Sequence, residues 1–198
     1  MNDERTQRLV VFLEGKKVIL RPLDKHTDAE KLQCWINDPK VRHNLAMIFP
    51  NTLKNEEDFI DRGGDATKGV VLGIVIKETG ELIGTMALHE IDWPNRNANT
   101  GAMIGEKEYW GKGYGTDAKM ILLDYAFNTL NLHTVSSMAF AFNKRSIGYN
   151  AHCGYRVEGV QKSRLFRAGR YWDRVLLGVS KKDWLPIWRR YKKTGSVR

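Results

Sequence analysis

The stretch Glu108-Tyr109-Trp110-Gly111-Lys112-Gly113-Tyr114-Gly115-Thr116-Asp117 constrains the fold more than any other part of the chain. Three glycines alternate with other residues, and an amphipathic helix follows at once. Ala118, Ile121, Leu122, Tyr125, Ala126 and Leu130 form one apolar stripe at helical spacing. Before the loop, residues 100–105 are short and apolar, as expected of a strand. Strand, glycine loop and helix start make a device for holding an anion. The backbone approaches a ligand closely where Cβ atoms are missing, and the unpaired N–H groups of a first helical turn point at it. Lys112 adds a positive charge inside the loop. An ordinary glycine-rich turn is the plain alternative.

The spacing narrows the choice of anion. A Walker loop needs four residues between a glycine and Gly-Lys-Ser/Thr, whereas Lys112 sits between two glycines. Gly113 to Ala118 reads as G-x-G-x-x-A, the dinucleotide fingerprint, which wants an acidic residue at the end of the next strand. That strand, residues 134–142, ends at Asn143-Lys144-Arg145. A dinucleotide fold also starts with its loop, and here more than half the chain comes first.

The loop instead resembles motif A of the GNAT acyltransferase superfamily, Q/R-x-x-G-x-G/A at the start of a long helix. Trp110 stands where Gln or Arg is usual, a change associated with the Rim-type branch, which acetylates ribosomal proteins, peptides and polyamines. Asn143-Lys144-Arg145-Ser146, then Cys153-Gly154-Tyr155-Arg156-Val157-Glu158-Gly159, resembles the family's second signature, N-x-x-S followed by L-G-F-x-x-E-G. Two signatures in the right order, about thirty residues apart, are more specific than either alone. Weaker similarity runs from Leu13 to Trp184.

The rest of the chain agrees with that architecture. Residues 18–23 read as a strand stopped by Pro22. Thr27-Asp28-Ala29-Glu30 reads as a capping box opening a helix with Leu32, Trp35 and Ile36 inward, ended by Asn37-Asp38-Pro39. Residues 40–51 read as a loop, which in this family borders the acceptor. A helix Leu53–Arg62 follows Thr52 as N-cap and is broken by Gly63-Gly64-Asp65. Residues 70–76 and 82–89 form a hairpin around Gly80, and residues 92–97 a polar turn. Residues 164–167 and 171–179 form a last hairpin around Ala168-Gly169. Trp184, Ile187, Trp188 and Tyr191 predict a short helix with Pro186 in its first turn. The expectation is one α/β domain over 1–198 with the GNAT fold, a mixed, mostly antiparallel sheet flanked by helices, and a basic tail at about 181–198.

Charge and cysteine bound the partners. Residues 161–198 hold twelve Lys or Arg against Asp173 and Asp183, so they carry +10 of the chain's net +9, and residues 1–160 carry −1. Such a patch attracts nucleic acid, acidic protein or anionic substrate; a solvated tail or a homodimer contact is the bland reading. Cys34 and Cys153 are isolated, with no metal spacing nearby. The polar start at residues 1–5 and the lack of any apolar run near 20 residues predict a cytoplasmic protein without metal or membrane contact.

The resemblance implies transfer of an acetyl group from acetyl-CoA to an amine. It puts the pyrophosphate on the N–H groups of Gly111, Lys112, Gly113, Tyr114, Gly115 and Thr116, with Trp110 as a further cofactor-binding residue. The pantetheine arm follows Met103, Ile104 and Gly105 and bonds Asn143, with Ser146 one turn on. Asn143 also reads as a helix cap. Lys112, Lys144 and Arg145 are candidates for the 3′-phosphate. The acid–base residues depart from the pattern: Asn99 stands at the usual Glu and Asn150 at the usual Tyr. The candidates left are His89, Glu106, Tyr149 and Asn150, with Glu90, Asp92 and Glu108 as further carboxylates. The acceptor is read as a protein or peptide N-terminus rather than a polyamine or an aminoglycoside. The competing reading is a CoA-binding module without catalysis, a sensor or a protein that touches RNA or the ribosome through its basic segment.

Overall fold

The computed structural model describes residues 10–63 and 68–197. Gly64 and Asp65 of the expected helix breaker lie outside them, as do residues 1–5; Gly63 caps the helix before the gap. The chain builds an eight-stranded sheet: β1 (Leu13–Glu14), β2 (Val18–Pro22), β3 (Val70–Ile76), β4 (Leu82–Asp92), β5 (Asn97–Ile104), β6 (Thr134–Phe140), β7 (Arg156–Arg167) and β8 (Arg170–Ser180). Its order is β1-β2-β3-β4-β5-β6-β8-β7, and only β5 and β6 run parallel. Helices α1 (Lys25–Asn37), α2 (Pro39–Arg42) and α3 (Leu53–Arg62) precede the central strands. Helix α4 (Tyr114–Asp124) runs on into a π-helical turn (Tyr125–Thr129), and α5 (Lys144–His152) and α6 (Lys181–Thr194) follow.

The alternation of side chains divides the sheet into two faces. One carries the main core, in which Val18, Leu20, Ile74, Met86 and Leu177 meet Met120, Leu122 and Phe127 from α4 and its extension. The other carries a smaller cluster, Ile19, Val75 and Leu82 against Leu32 and Trp35 of α1.

Four local expectations need correction. Helix α1 begins two residues before Thr27, because Asp24 caps it by accepting from the His26 N–H at 2.8 Å. Asp28 is buried instead as the partner of Arg21, at 2.7 and 2.9 Å. Part of 40–51 is the short helix α2. Strand β7 starts at Arg156, well before the expected hairpin. The expected short tail helix is the fourteen-residue α6, and Pro186 is its sixth residue, in the second turn. Trp184, Trp188 and Tyr191 are buried and their rings stack in series at 5.2 and 5.3 Å. The burial of those three rings outweighs the one helical hydrogen bond that Pro186 removes.

Helix α6 is also tied to the glycine loop. The buried Asp117 carboxylate, in the first turn of α4, accepts the N–H groups of Lys16, Lys17 and Val18 at 3.1, 2.8 and 3.0 Å and the hydroxyl of Tyr191. Lys17 donates to the carbonyl of Lys112 at 2.9 Å. The loop therefore hangs from β2 and α6 as well as from its own helix.

Candidate active site

Strands β5 and β6 pair only at Asn97–Asn99 with Thr134–Ser136, after which they part. Beyond that point β5 keeps its ladder to β4 as far as Ile104, and β6 keeps its ladder to β8 as far as Phe140. The fork opens a cleft of about 1590 Å³ that runs through to both faces of the sheet.

Thr100 sits at the apex. Its hydroxyl donates to the Ser136 carbonyl at 3.1 Å, lies 3.0 Å from the Tyr155 hydroxyl and accepts from Lys119 Nζ at 2.8 Å. Lys119 is wholly buried, and its ammonium lies over the rings of Tyr149 and Tyr155 at 5.2 and 5.0 Å. Burial pushes it down to about 8. The same environment pushes the Cys153 thiol up to about 12, so it stays protonated.

On the α4 and α5 face, the glycine loop closes the fork. Gly111 and Gly113 take φ of 75° and 87°, which glycine adopts without strain. Gly113 is the N-cap of α4, and no side chain caps that helix. Its first-turn N–H groups are thus left for a ligand. Gly111 faces open space, and a Cβ at Gly115 would come no nearer than 3.8 Å to Ile104. Trp110 ties the two arms together: its indole donates to the Ile104 carbonyl at 2.7 Å, and the Arg145 guanidinium stacks on its ring at 3.9 Å. Lys112, Lys144 and Arg145 line the same side. Asn143 caps α5 by accepting the Ser146 N–H at 3.0 Å, and both residues line the cleft.

Several expected site residues lie elsewhere. The Gly105 N–H donates to Ile83 at 2.9 Å, so it is no donor to the cleft. The same alternation turns the N–H groups of Ala102 and Ile104 into the gap. Gly105 is needed because Trp35 fills the space of its missing side chain, with Cδ2 1.9 Å from a Cβ built there. Met103 lines the cleft but packs on the α1 cluster. The Tyr114 ring is half-buried against the main core, edge to Tyr109 at 5.4 Å, and does not line the cleft. Glu106 accepts from the Trp35 indole at 3.1 Å and pairs with Lys31, away from the cleft. Asn150 is buried, donating to Ser146 O at 2.9 Å, with Oδ1 unpartnered, and does not reach the cleft. Tyr149 and His89 do line it, on opposite faces.

On the α1–α3 face, four strands present one row: His89, Asn99, Ser136 and Gly178 are register partners in turn. A β-bulge between His89 and Asp92 puts Glu90 at φ 52° and re-aims it. Asn99 then donates to Glu90 Oε2 at 2.5 Å. A carboxylate from β4 thus stands beside Asn99, the β5 position at which the resemblance predicts one. Across Ser136, Glu158 lies over Gly178, its Oε1 2.0 Å from where a Cβ would be. The His89 ring fills the space above Gly101, and burial lowers its basicity while Glu90 raises it. Sequence reasoning listed Glu90 but missed its link to Asn99, because a bulge leaves no mark in residue spacing. It also missed Lys119, which lies off the apolar stripe of a helix that is buried nearly all round.

Residues 17–156 match the family described as the acetyltransferase (GNAT) domain. The chain belongs to the GNAT acetyltransferases. It is 27% identical to the N-acetyltransferase p20 of Bacillus licheniformis over 175 residues, 87% of this chain and 97% of that protein. It is 30% identical to the spermidine N(1)-acetyltransferase of Escherichia coli over 178 residues, 85% and 88% of the two. The structure of a Vibrio cholerae spermidine N-acetyltransferase with CoA and spermine aligns with a TM-score of 0.78 at 22% identity, covering 85% of this chain and 98% of that one. This chain is therefore an N-acetyltransferase with the GNAT fold, and acetyl-CoA is its acyl donor. Among the described residues no helix is long and apolar enough to cross a membrane, and no group of three His, Cys, Asp or Glu could hold a metal ion.

Proposed function

We propose that this acetyltransferase acts on the primary amine of a peptide or protein N-terminus, with Glu90 as the proton acceptor. The observation that carries the reading is the Asn99–Glu90 contact at the apex of the fork. The donor enters on the α4 and α5 face, where the uncapped helix start and the loop N–H groups suit a pyrophosphate. The N–H groups of Ala102 and Ile104 suit the pantetheine amides and polarise the thioester carbonyl. The acceptor enters from the His89 face. Its ammonium gives a proton to the Glu90 carboxylate, and the freed amine forms the C–N bond to the thioester carbon. The C–S bond breaks, and the second proton from nitrogen ends on the CoA sulfur as a thiol. Tyr149 holds its proton because burial raises its phenol, which suits it to that delivery on the donor side.

The charge of the acceptor side supports a peptide over a polyamine. Arg62 and Arg174 line it beside Glu90 and Glu158, so a polycation meets cations there as well as carboxylates. Phe59, Val71 and Leu45 give it an apolar side suited to a peptide. The polyamine reading has its own support in the 30% identity to the Escherichia coli spermidine enzyme.

Thiol release with a panel of peptides and with spermidine tests both readings, using wild type and Glu90→Gln. We expect peptides to exceed spermidine in kcat/KM, and Glu90→Gln to lower kcat about 100-fold at unchanged acetyl-CoA affinity. Unchanged kcat would remove Glu90 from the mechanism, and a preference for spermidine would overturn the acceptor class.

A further inference from the structure

The structure assigns to Arg174 the recognition of an anionic group on the acceptor. This rests on the peptide-amine reading above and narrows it to a peptide with an acidic group near its N-terminus.

Arg174 lies on β8 opposite Phe140 of β6, on the same sheet face as His89, Asn99 and Ser136. Its guanidinium makes no hydrogen bond or ion pair among the described residues, and its Nε is buried without a partner. Its neighbours Arg167 and Arg170 are engaged through the rest of their guanidinium groups, although the Arg167 Nε is also buried without a partner. Arg167 donates to the Leu45 carbonyl at 2.6 Å and lies over the Phe140 ring, and Arg170 stacks on Trp172 at 3.6 Å. An arginine offers five donors in a planar fork, and a buried donor left unpaired costs about 1–3 kcal/mol. Arg174 lines the cleft, so a ligand there satisfies it.

The acceptor side is polarised along its length. Glu90 and Glu158 bracket Ser136 at the apex, and Arg174 stands beside Phe140 at the far end. Met138 and Leu176 form the apolar floor between them. Ser136 and Phe140 are four residues apart, ~13 Å along the strand. An extended peptide rises about 3.3 Å per residue, so the anion lies within roughly four residues of the reacting amine. A carboxylate at the second or third residue, or the C-terminus of a di- or tripeptide, meets that span and can bond the guanidinium by two parallel N–H···O contacts. A polyamine would bring a second ammonium to the same guanidinium.

The test is the kinetics of three tripeptide amides, Ser-Ala-Glu, Ser-Ala-Gln and Ser-Ala-Lys, with spermidine beside them, on wild type, Arg174→Gln and Arg174→Glu. We expect wild type to prefer the Glu peptide over the Gln peptide by about tenfold or more in kcat/KM, mostly through KM. Arg174→Gln removes that preference, and Arg174→Glu transfers it to the Lys peptide. Acetyl-CoA affinity and melting temperature stay unchanged in both, which separates recognition from folding. A preference for the Glu peptide that survives in Arg174→Gln overturns the assignment, as does charge indifference in wild type. If spermidine alone is acetylated, the peptide reading itself has failed, and this inference with it.

Discussion

Replacing Lys119 with methionine removes an ammonium that the core holds without a carboxylate. Burial lowers its pKa from 10.5 to about 8. At 1.36 kcal/mol per unit that shift corresponds to a cost of about 3 kcal/mol at neutral pH, where the folded lysine is charged. Methionine keeps the unbranched shape and forfeits the bond to Thr100, worth about 1 kcal/mol. Thr100 retains Ser136 and Tyr155 as partners. The net expectation at pH 7 is a gain of about 2 kcal/mol, or ~4–8 °C in Tm for a chain of this size.

The sign with pH follows from linkage. Between about 8 and 10.5 the unfolded chain holds the lysine proton and the folded one does not, so wild-type stability rises with pH across that window. The methionine variant lacks that rise. Its advantage should be full below pH 8 and shrink as pH climbs, ending with wild type about 1 kcal/mol the more stable near pH 10.5. Urea denaturation of both proteins from pH 7 to 10.5 measures the difference, in which all shared titrations cancel. An equal difference at every pH would refute the reasoning, and so would a loss of more than 2 kcal/mol at pH 7. Either would mean that the ammonium is well solvated or paired.

Two further substitutions probe the supports of the site. Asp117→Ala leaves three N–H groups and the Tyr191 hydroxyl without their acceptor, and should cost about 3 kcal/mol or more, read as a Tm drop of ~6 °C or beyond. A drop under 2 °C would mean that α6 docks independently of the loop. Gly105→Ala drives a methyl into Trp35 and should cost about 1–3 kcal/mol in urea unfolding; a neutral result would show that α1 moves freely from the sheet.

The glycine loop, the Asn143 cap and the β3–β4 hairpin were legible because each depends on residues adjacent in sequence. Asn143 caps α5 through Ser146, three residues on, as local spacing suggests. The α1 start was misread because Thr27 carries a capping side chain, whereas Asp24 caps the helix and Asp28 pairs with Arg21. Glu106 was nominated by proximity in the chain and Asn150 by its place in the family pattern, but Trp35 claims the first and α5 turns the second inward. Glu90, Glu158 and Arg174 needed the sheet register, which brings together residues from five strands. No periodicity in one strand carries that information.

The central claim is that the uncapped start of α4 holds the donor's phosphates. Calorimetric titration of acetyl-CoA into wild type and Gly115→Leu tests it most directly. Gly115 has helical backbone, and a Cβ there meets Ile104 only at ordinary contact distance, 3.8 Å, so leucine fits the fold and fills the cradle. The account predicts one-to-one binding by wild type and a loss of at least tenfold in Gly115→Leu at unchanged Tm. Equal affinity in the two proteins would contradict it.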